Sequence, residues 1–187
     1  MRVLRQTLLD TGSVMEIRGA VISECEVLSH LWYRAWHEAH ASILPAEVVS
    51  DRTLSQFEDR ITVALPTIRV AGPIDKPYGF CICKDSEVNQ LFVTAEARGT
   101  GVAADLLQDA ERCLWDAGIE TGWLACAIGN ERAARFYRKN GWRWSGPRMS
   151  NLHLTNRIFP LTVWCFEKCL MPPQNRSGEL SLQRYPL

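Results

Sequence analysis

Apolar positions along the chain switch between alternating and helical spacing, and the switches predict an order of elements. Met15, Ile17 and Val21 predict a first strand over residues 15–20. From residue 23 to 41, Leu28, Leu31, Trp32, Ala35, Trp36 and Ala39 form one helical face, and Tyr33, His37 and His40 line up on a second. Past Pro45 a second helix is expected over 46–65, with Leu54, Phe57 and Ile61 as its buried stripe. Residues 67–71 and 78–83 read as strands between the breaks at Pro66, Gly72-Pro73 and Lys76-Pro77. Lys84-Asp85-Ser86 reads as a hairpin turn into a strand over 87–93. Val102, Leu106, Leu107, Ala110 and Leu114 mark a helix from Gly101, with Gly118 suited to a left-handed cap. The apolar run 123–128 suits a buried strand parallel to 87–93, joined to it through that helix. A short helix over 131–139 and strands at 142–144 and 161–166 complete the order, with Trp142 and Trp144 expected on one face. The whole predicts an α/β domain with a mixed sheet over 15–170, between an extension at 1–14 and a flexible tail at 171–187.

Composition narrows the partners. Lys plus Arg and Asp plus Glu are both 21, so charge makes no case for nucleic acid or an anionic membrane. The seven cysteines are odd in number and form no Cys-x-x-Cys. They read as buried free thiols of a reducing cytoplasm rather than disulfides or metal ligands, with Cys165 and Cys169 close only if their segment is helical. No apolar run has membrane-spanning length and the N-terminus has no signal-peptide core, so a cytoplasmic protein is expected, with no metal.

The chemistry centres on the stretch from Asn89 to Ala104. A strand runs through a short polar turn into Arg98-Gly99-Thr100-Gly101 and then into a helix. A glycine-rich turn opening a helix offers free N–H groups at the positive end of the helix dipole, which suits phosphate. Two readings compete. Gly99 to Ala104 satisfies the dinucleotide fingerprint G-x-G-x-x-A, with Glu120 about twenty residues on, as in an NAD(P)-dependent oxidoreductase. Against this, the motif follows about a hundred residues of other structure, and too little chain remains for a second half. The other reading is the pyrophosphate of coenzyme A.

A second motif decides between them. Asn130, Phe136-Tyr137 and Gly141-Trp142, taken with Arg98-Gly99-Thr100-Gly101-Val102-Ala103, resemble the two signature motifs of the GNAT N-acetyltransferase family, in order and spacing. The cofactor motif of that family is Arg/Gln-x-x-Gly-x-Gly/Ala. The resemblance implies a GNAT fold, its mixed sheet splayed at two parallel strands that hold acetyl-CoA as cosubstrate. It implies that Leu91, Phe92 and Val93 bind pantetheine through their main chain. The pyrophosphate is then held by Arg98, Gly99, Thr100, Gly101, Val102 and Ala103, where glycine lets the backbone approach closely. The Arg98 side chain either adds charge to the phosphates or is simply solvated, and Asn130 contacts pantetheine or caps its helix.

Acetyl transfer to an amine by direct attack, through a tetrahedral intermediate, makes three demands. An alkylammonium of pKa about 10 must lose a proton, the thioester oxygen must be stabilised, and the departing thiolate must be protonated. The resemblance gives the last task to Tyr137, against a role in packing. Glu87 holds the position of the base in some family members, against a plain charged residue at a hairpin; the position used by others is Ala125 here. His37 and His40 are alternative bases. Trp32, Tyr33, Trp36, His37 and His40 are candidates to shape the acceptor site, against a place in the core for most of the tryptophans. The acceptor, a small-molecule or protein amine, and a homodimer are left open by the residues. The missing acid at Ala125 keeps a non-catalytic acyl-CoA-binding module as the alternative function.

Overall fold

The computed structural model describes residues 15–170; the extension expected over 1–14 and the tail expected over 171–187 lie outside the described residues. The elements run β1 (Ile17–Gly19), α1 (Cys25–His40), α2 (Ala46–Asp51), α3 (Leu54–Ala64), β2 (Ile68–Ala71), β3 (Gly79–Lys84) and β4 (Glu87–Val93). They continue with α4 (Val102–Asp116), β5 (Thr121–Ala127), α5 (Glu131–Lys139), β6 (Arg143–His153) and β7 (Ile158–Cys169). The strands form one sheet in the order β1-β2-β3-β4-β5-β7-β6. Every neighbouring pair is antiparallel except β4 and β5. This is the GNAT fold: a mixed sheet with one parallel pair, flanked by helices, and not a doubly wound parallel sheet.

Strand alternation sorts two cores onto the two faces. Ile68 and Val70 of β2, Phe80 and Ile82 of β3 and Phe92 of β4 pack with Leu28, Trp32 and Trp36 of α1 and Phe57 and Ile61 of α3. The intervening Cys81, Leu91 and Val93 join Leu106, Leu107 and Ala110 of α4, Ala134 of α5 and Leu124 of β5 on the other face. Arg69 turns to that same face, where its Nε donates to the buried Asp109 of α4 at 2.6 Å. The end of α4 is a Schellman turn: Ile119 N–H donates to Leu114 at 3.0 Å and Gly118 N–H to Trp115 at 2.8 Å, with Gly118 at φ +82°. Among the described residues no helix is long and apolar enough to cross a membrane.

Four sequence expectations are corrected. The single helix expected over 46–65 is two, because Arg52 leaves the helical region and the Thr53 hydroxyl caps α3 by accepting from Gln56 N–H at 3.4 Å. Trp142 and Trp144 do not share a face. Trp142 precedes β6, is buried, and donates its Nε1–H to Glu111 at 2.8 Å, whereas Trp144 is exposed. The last two strands are far longer than 142–144 and 161–166, forming a hairpin paired from Arg143↔Glu167 to His153↔Ile158. β6 is the edge strand and most of its side chains are solvated, so no buried period announces it, and an edge tolerates Pro147. Finally, the cysteines are free but not all buried: Cys81, Cys126 and Cys165 are, Cys25, Cys83 and Cys113 are half-buried and Cys169 is exposed; Cys165 and Cys169 lie apart, as expected of an extended segment.

Candidate active site

The sheet opens between β4 and β5. β4 pairs with β3 through Gly79↔Val93, Phe80↔Phe92, Cys81↔Leu91 and Ile82↔Gln90, then shifts register to Cys83↔Val88. Asn89 is the extra residue, and a bulge of this kind bends its strand. On its other side β4 meets β5 only at Glu87↔Trp123, beside a Trp123 N–H bond to the Ser86 carbonyl at 3.1 Å. Past that point the parallel strands part. Thr94 N–H donates to the Tyr78 carbonyl at 2.8 Å, which sets the phase of the ladder. Phe92 therefore exchanges its hydrogen bonds with Phe80, while Leu91 and Val93 turn their main-chain groups toward the gap. Of the three residues expected to bind through their main chain, Phe92 is committed to β3. Its ring packs 6.0 Å from Phe80 and 6.2 Å from Trp32.

The gap leads to the start of α4. Gly99 and Gly101 have φ of +78° and +102°, and a Cβ on either would meet nothing within 4 Å, so open space lies over the turn. The N–H groups of Arg98 and Thr100 are used internally, donating to Ala95 and Ala97, each at 3.3 Å. Those of Gly99, Gly101, Val102 and Ala103 have no partner among the described residues. Four of the six expected donors are thus free. The Arg98 side chain is neither free nor merely solvated: it pairs with Glu38 of α1 and ties the turn to the opposite face.

A cavity of about 980 Å³ runs through the gap, lined from both faces of the sheet. Asn130, Ala133, Phe136 and Tyr137 border it from α5, and Glu87 and Ala125 from the diverging strands. The Asn130 side chain caps α5, its Oδ1 accepting from Ala133 N–H at 3.1 Å. The Tyr137 ring lies 5.4 Å from Phe136 and 6.0 Å from Phe166. Its hydroxyl has no hydrogen-bond partner among the described residues, and burial pushes the phenol up, so it stays protonated. Glu87 accepts from Asn89 Nδ2 at 2.9 Å, yet burial outweighs that bond and raises its carboxyl above the usual range. Ala125 is exposed to the cavity and places no acid on β5.

Of the α1 residues expected to shape the acceptor end, Trp36 and His40 line the cavity; Trp32, Tyr33 and His37 do not. Trp32 is 1% exposed and belongs to the core, and Tyr33 stacks on His37 at 4.3 Å. His40 Nδ1 is 2.9 Å from the Trp36 carbonyl, which places a proton on Nδ1 and leaves Nε2 as the acceptor. Burial lowers the pKa of His40 and keeps it neutral. Sequence reading missed Arg52, Gln56, Asp59 and Arg60 beside α3, and residues 150–155 of the hairpin, which complete this end. The α3 set recurs at helical spacing, but in the sequence it is indistinguishable from a solvated face.

Residues 63–143 match the family model described as an acetyltransferase (GNAT) domain. Over this stretch the chain is similar to the GNAT acetyltransferase family. An uncharacterized N-acetyltransferase of Mycobacterium tuberculosis is 35% identical over 69 residues, which are 37% of this chain and 44% of that protein. The chain therefore spans less than half the length of the curated relatives it matches. Among solved structures, the GCN5-related N-acetyltransferase from Rhodopseudomonas palustris superposes with a TM-score of 0.67 at 17% identity, covering 84% of this chain and 97% of that one. The PaiA N-acetyltransferase from Thermoplasma acidophilum, in complex with coenzyme A, gives 0.63 at 19% identity, covering 84% and 99%. At these identities the superpositions speak for the GNAT fold.

Proposed function

We propose that this chain is an acetyl-CoA-dependent N-acetyltransferase of the GNAT family that passes the acetyl group to a primary amine by direct attack. The gap between β4 and β5 carries this reading. It offers the Leu91 and Val93 main chain along one wall, Asn130 and Tyr137 along the other, and the four free N–H groups of Gly99, Gly101, Val102 and Ala103 at its end. A pantetheine arm fits the strand edge as a missing neighbour would, and a pyrophosphate fits the helix start. The coenzyme A held by the Thermoplasma protein of the same fold supports coenzyme A as the ligand.

The residues then divide the proton work. The acceptor amine loses a proton to Glu87, directly or through water; a carboxyl raised by burial is the stronger base. Neutral His40 is the second proton acceptor of the cleft. As nitrogen bonds to the thioester carbon, the carbonyl oxygen takes up charge beside a β4 N–H of Leu91 or Val93. Collapse breaks the C–S bond, the nitrogen gives its remaining extra proton to His40 or solvent, and the Tyr137 phenol gives its proton to the leaving thiolate and is reprotonated from solvent. Release of free coenzyme A thiol across a panel of amines tests the reading. One observation favours a binding module instead, the absence of an acid at Ala125. That module is the better description if coenzyme A raises thermal stability while no amine releases thiol.

A further inference from the structure

The polar side of α3 has no part in the proton transfers, and one of its residues stands apart. Arg52 is paired: its Nη1 donates to the His153 carbonyl at 3.0 Å and to Gln56 Oε1 at 3.2 Å, and it meets Asp51 at 3.4 Å. Gln56 Nε2 donates to Asp51 at 3.0 Å and to Thr155 Oγ1 at 2.9 Å, so this network ties α3 to the hairpin. Arg60 lines the same cavity, but its guanidinium has no hydrogen bond or ion pair with any described residue, the neighbouring Asp59 included. It lies 4.3 Å from the ring centroid of Trp32 and 5.8 Å from that of Phe57. Burial and the nearby Arg52 push its pKa down to about 10, so it remains a cation at neutral pH.

A guanidinium held against an aromatic face, partly stripped of water and without an anion, lacks the counter-charge such groups ordinarily have. The rings fix its plane, and its planar fork matches a carboxylate through two parallel hydrogen bonds. Trp32, on which it rests, is 6.2 Å from the ring of Phe92, so the free cation stands one indole from the strand that faces the cosubstrate. Asp51 already offsets the charge of Arg52, so Arg60 is the cation beside α3 without an anionic partner among the described residues, and one such cation suits a monoanion better than a phosphate dianion.

We propose that the acceptor carries a carboxylate in addition to its amine, and that Arg60 docks this carboxylate in the cleft. The inference rests on the acetyltransferase reading for the orientation of the amine. The test compares free amino acids with their amides, by thiol release with acetyl-CoA, in the wild type, Arg60→Gln and Arg60→Lys. The expected result is a preference in kcat/KM for the acid of about tenfold or more, falling to about one in Arg60→Gln and partly kept in Arg60→Lys. Equal rates on acid and amide, or an unchanged ratio in Arg60→Gln, overturn the inference while leaving the acetyltransferase reading intact. Titration of the coenzyme A complex with an N-acetyl amino acid and with its amide reads the docking without turnover. Tighter binding of the acid, lost in Arg60→Gln, supports the inference even if no amine is acetylated; equal binding refutes it. An unchanged coenzyme A-induced thermal shift in each variant verifies that the cleft is folded.

Discussion

Replacing Tyr137 by Phe separates catalysis from packing, because the structure assigns the two roles to different atoms. The ring makes the contacts with Phe136 and Phe166, and Phe keeps them. The hydroxyl has no partner among the described residues, so its removal leaves no donor or acceptor stranded. The expected change in stability is within about 0.5 kcal/mol, or roughly 1–2 °C in Tm for a chain of this size. If the phenol protonates the departing thiolate, kcat falls by about 100-fold or more, roughly 2.7 kcal/mol of transition-state stabilisation. Since burial raises the pKa of Tyr137, its own ionisation lies above the neutral range and adds no limb to the kcat profile there. Thermal denaturation with and without coenzyme A, followed by steady-state thiol release, gives both quantities. A variant with wild-type kcat refutes the acid role. A loss of several degrees in Tm alongside the fall in kcat refutes the separation of roles and makes Tyr137 a packing residue.

Gly99→Ala is expected to cost about 1 kcal/mol of stability from its left-handed backbone alone, since no atom obstructs the new methyl group. The same methyl group enters the space above the free N–H groups, so coenzyme A affinity drops about tenfold; an unchanged Kd by titration refutes the cradle. Burial opposes ionisation of Glu24, but the two Arg18 bonds at 2.7 Å and the Val21 N–H at 3.0 Å outweigh it and hold the carboxyl below its ordinary range. This contribution is complete above the ordinary carboxylate pKa and is lost as pH falls through the lowered one. Glu24→Gln should therefore lose about 2 kcal/mol at neutral pH and show a flatter acid limb in urea denaturation, and an identical pH profile contradicts this. Asp109→Ala leaves Arg69 without its partner at the sheet surface and should lower stability by about 3 kcal/mol; a shift of under 1 kcal/mol in the denaturation midpoint energy argues that the pair is dispensable.

The sequence by itself determined the elements whose period is enforced by burial. α1 and α4 each press one face into a core, so Leu28, Trp32 and Leu106 recur at helical spacing, while β3 is buried on both faces and Phe80, Cys81 and Ile82 form an unbroken apolar run. The turn at Gly99 and Gly101 was legible because a positive φ leaves a chemical mark, the missing side chain. Features that depend on which strand lies beside which left no such mark. The phase of the β3–β4 ladder, which selects Leu91 and Val93 over Phe92, follows from a hydrogen bond between Thr94 and Tyr78. The long β6–β7 hairpin has too solvated an edge to impose a period. Arg98 and Glu38 are sixty residues apart in the chain, and nothing local pairs them. Arg60 looks in sequence like any arginine on a polar helix face. Only packing on Trp32, with no ion pair to any described residue, turns it into a candidate site, because whether a charge is satisfied is a property of its surroundings and not of its spacing.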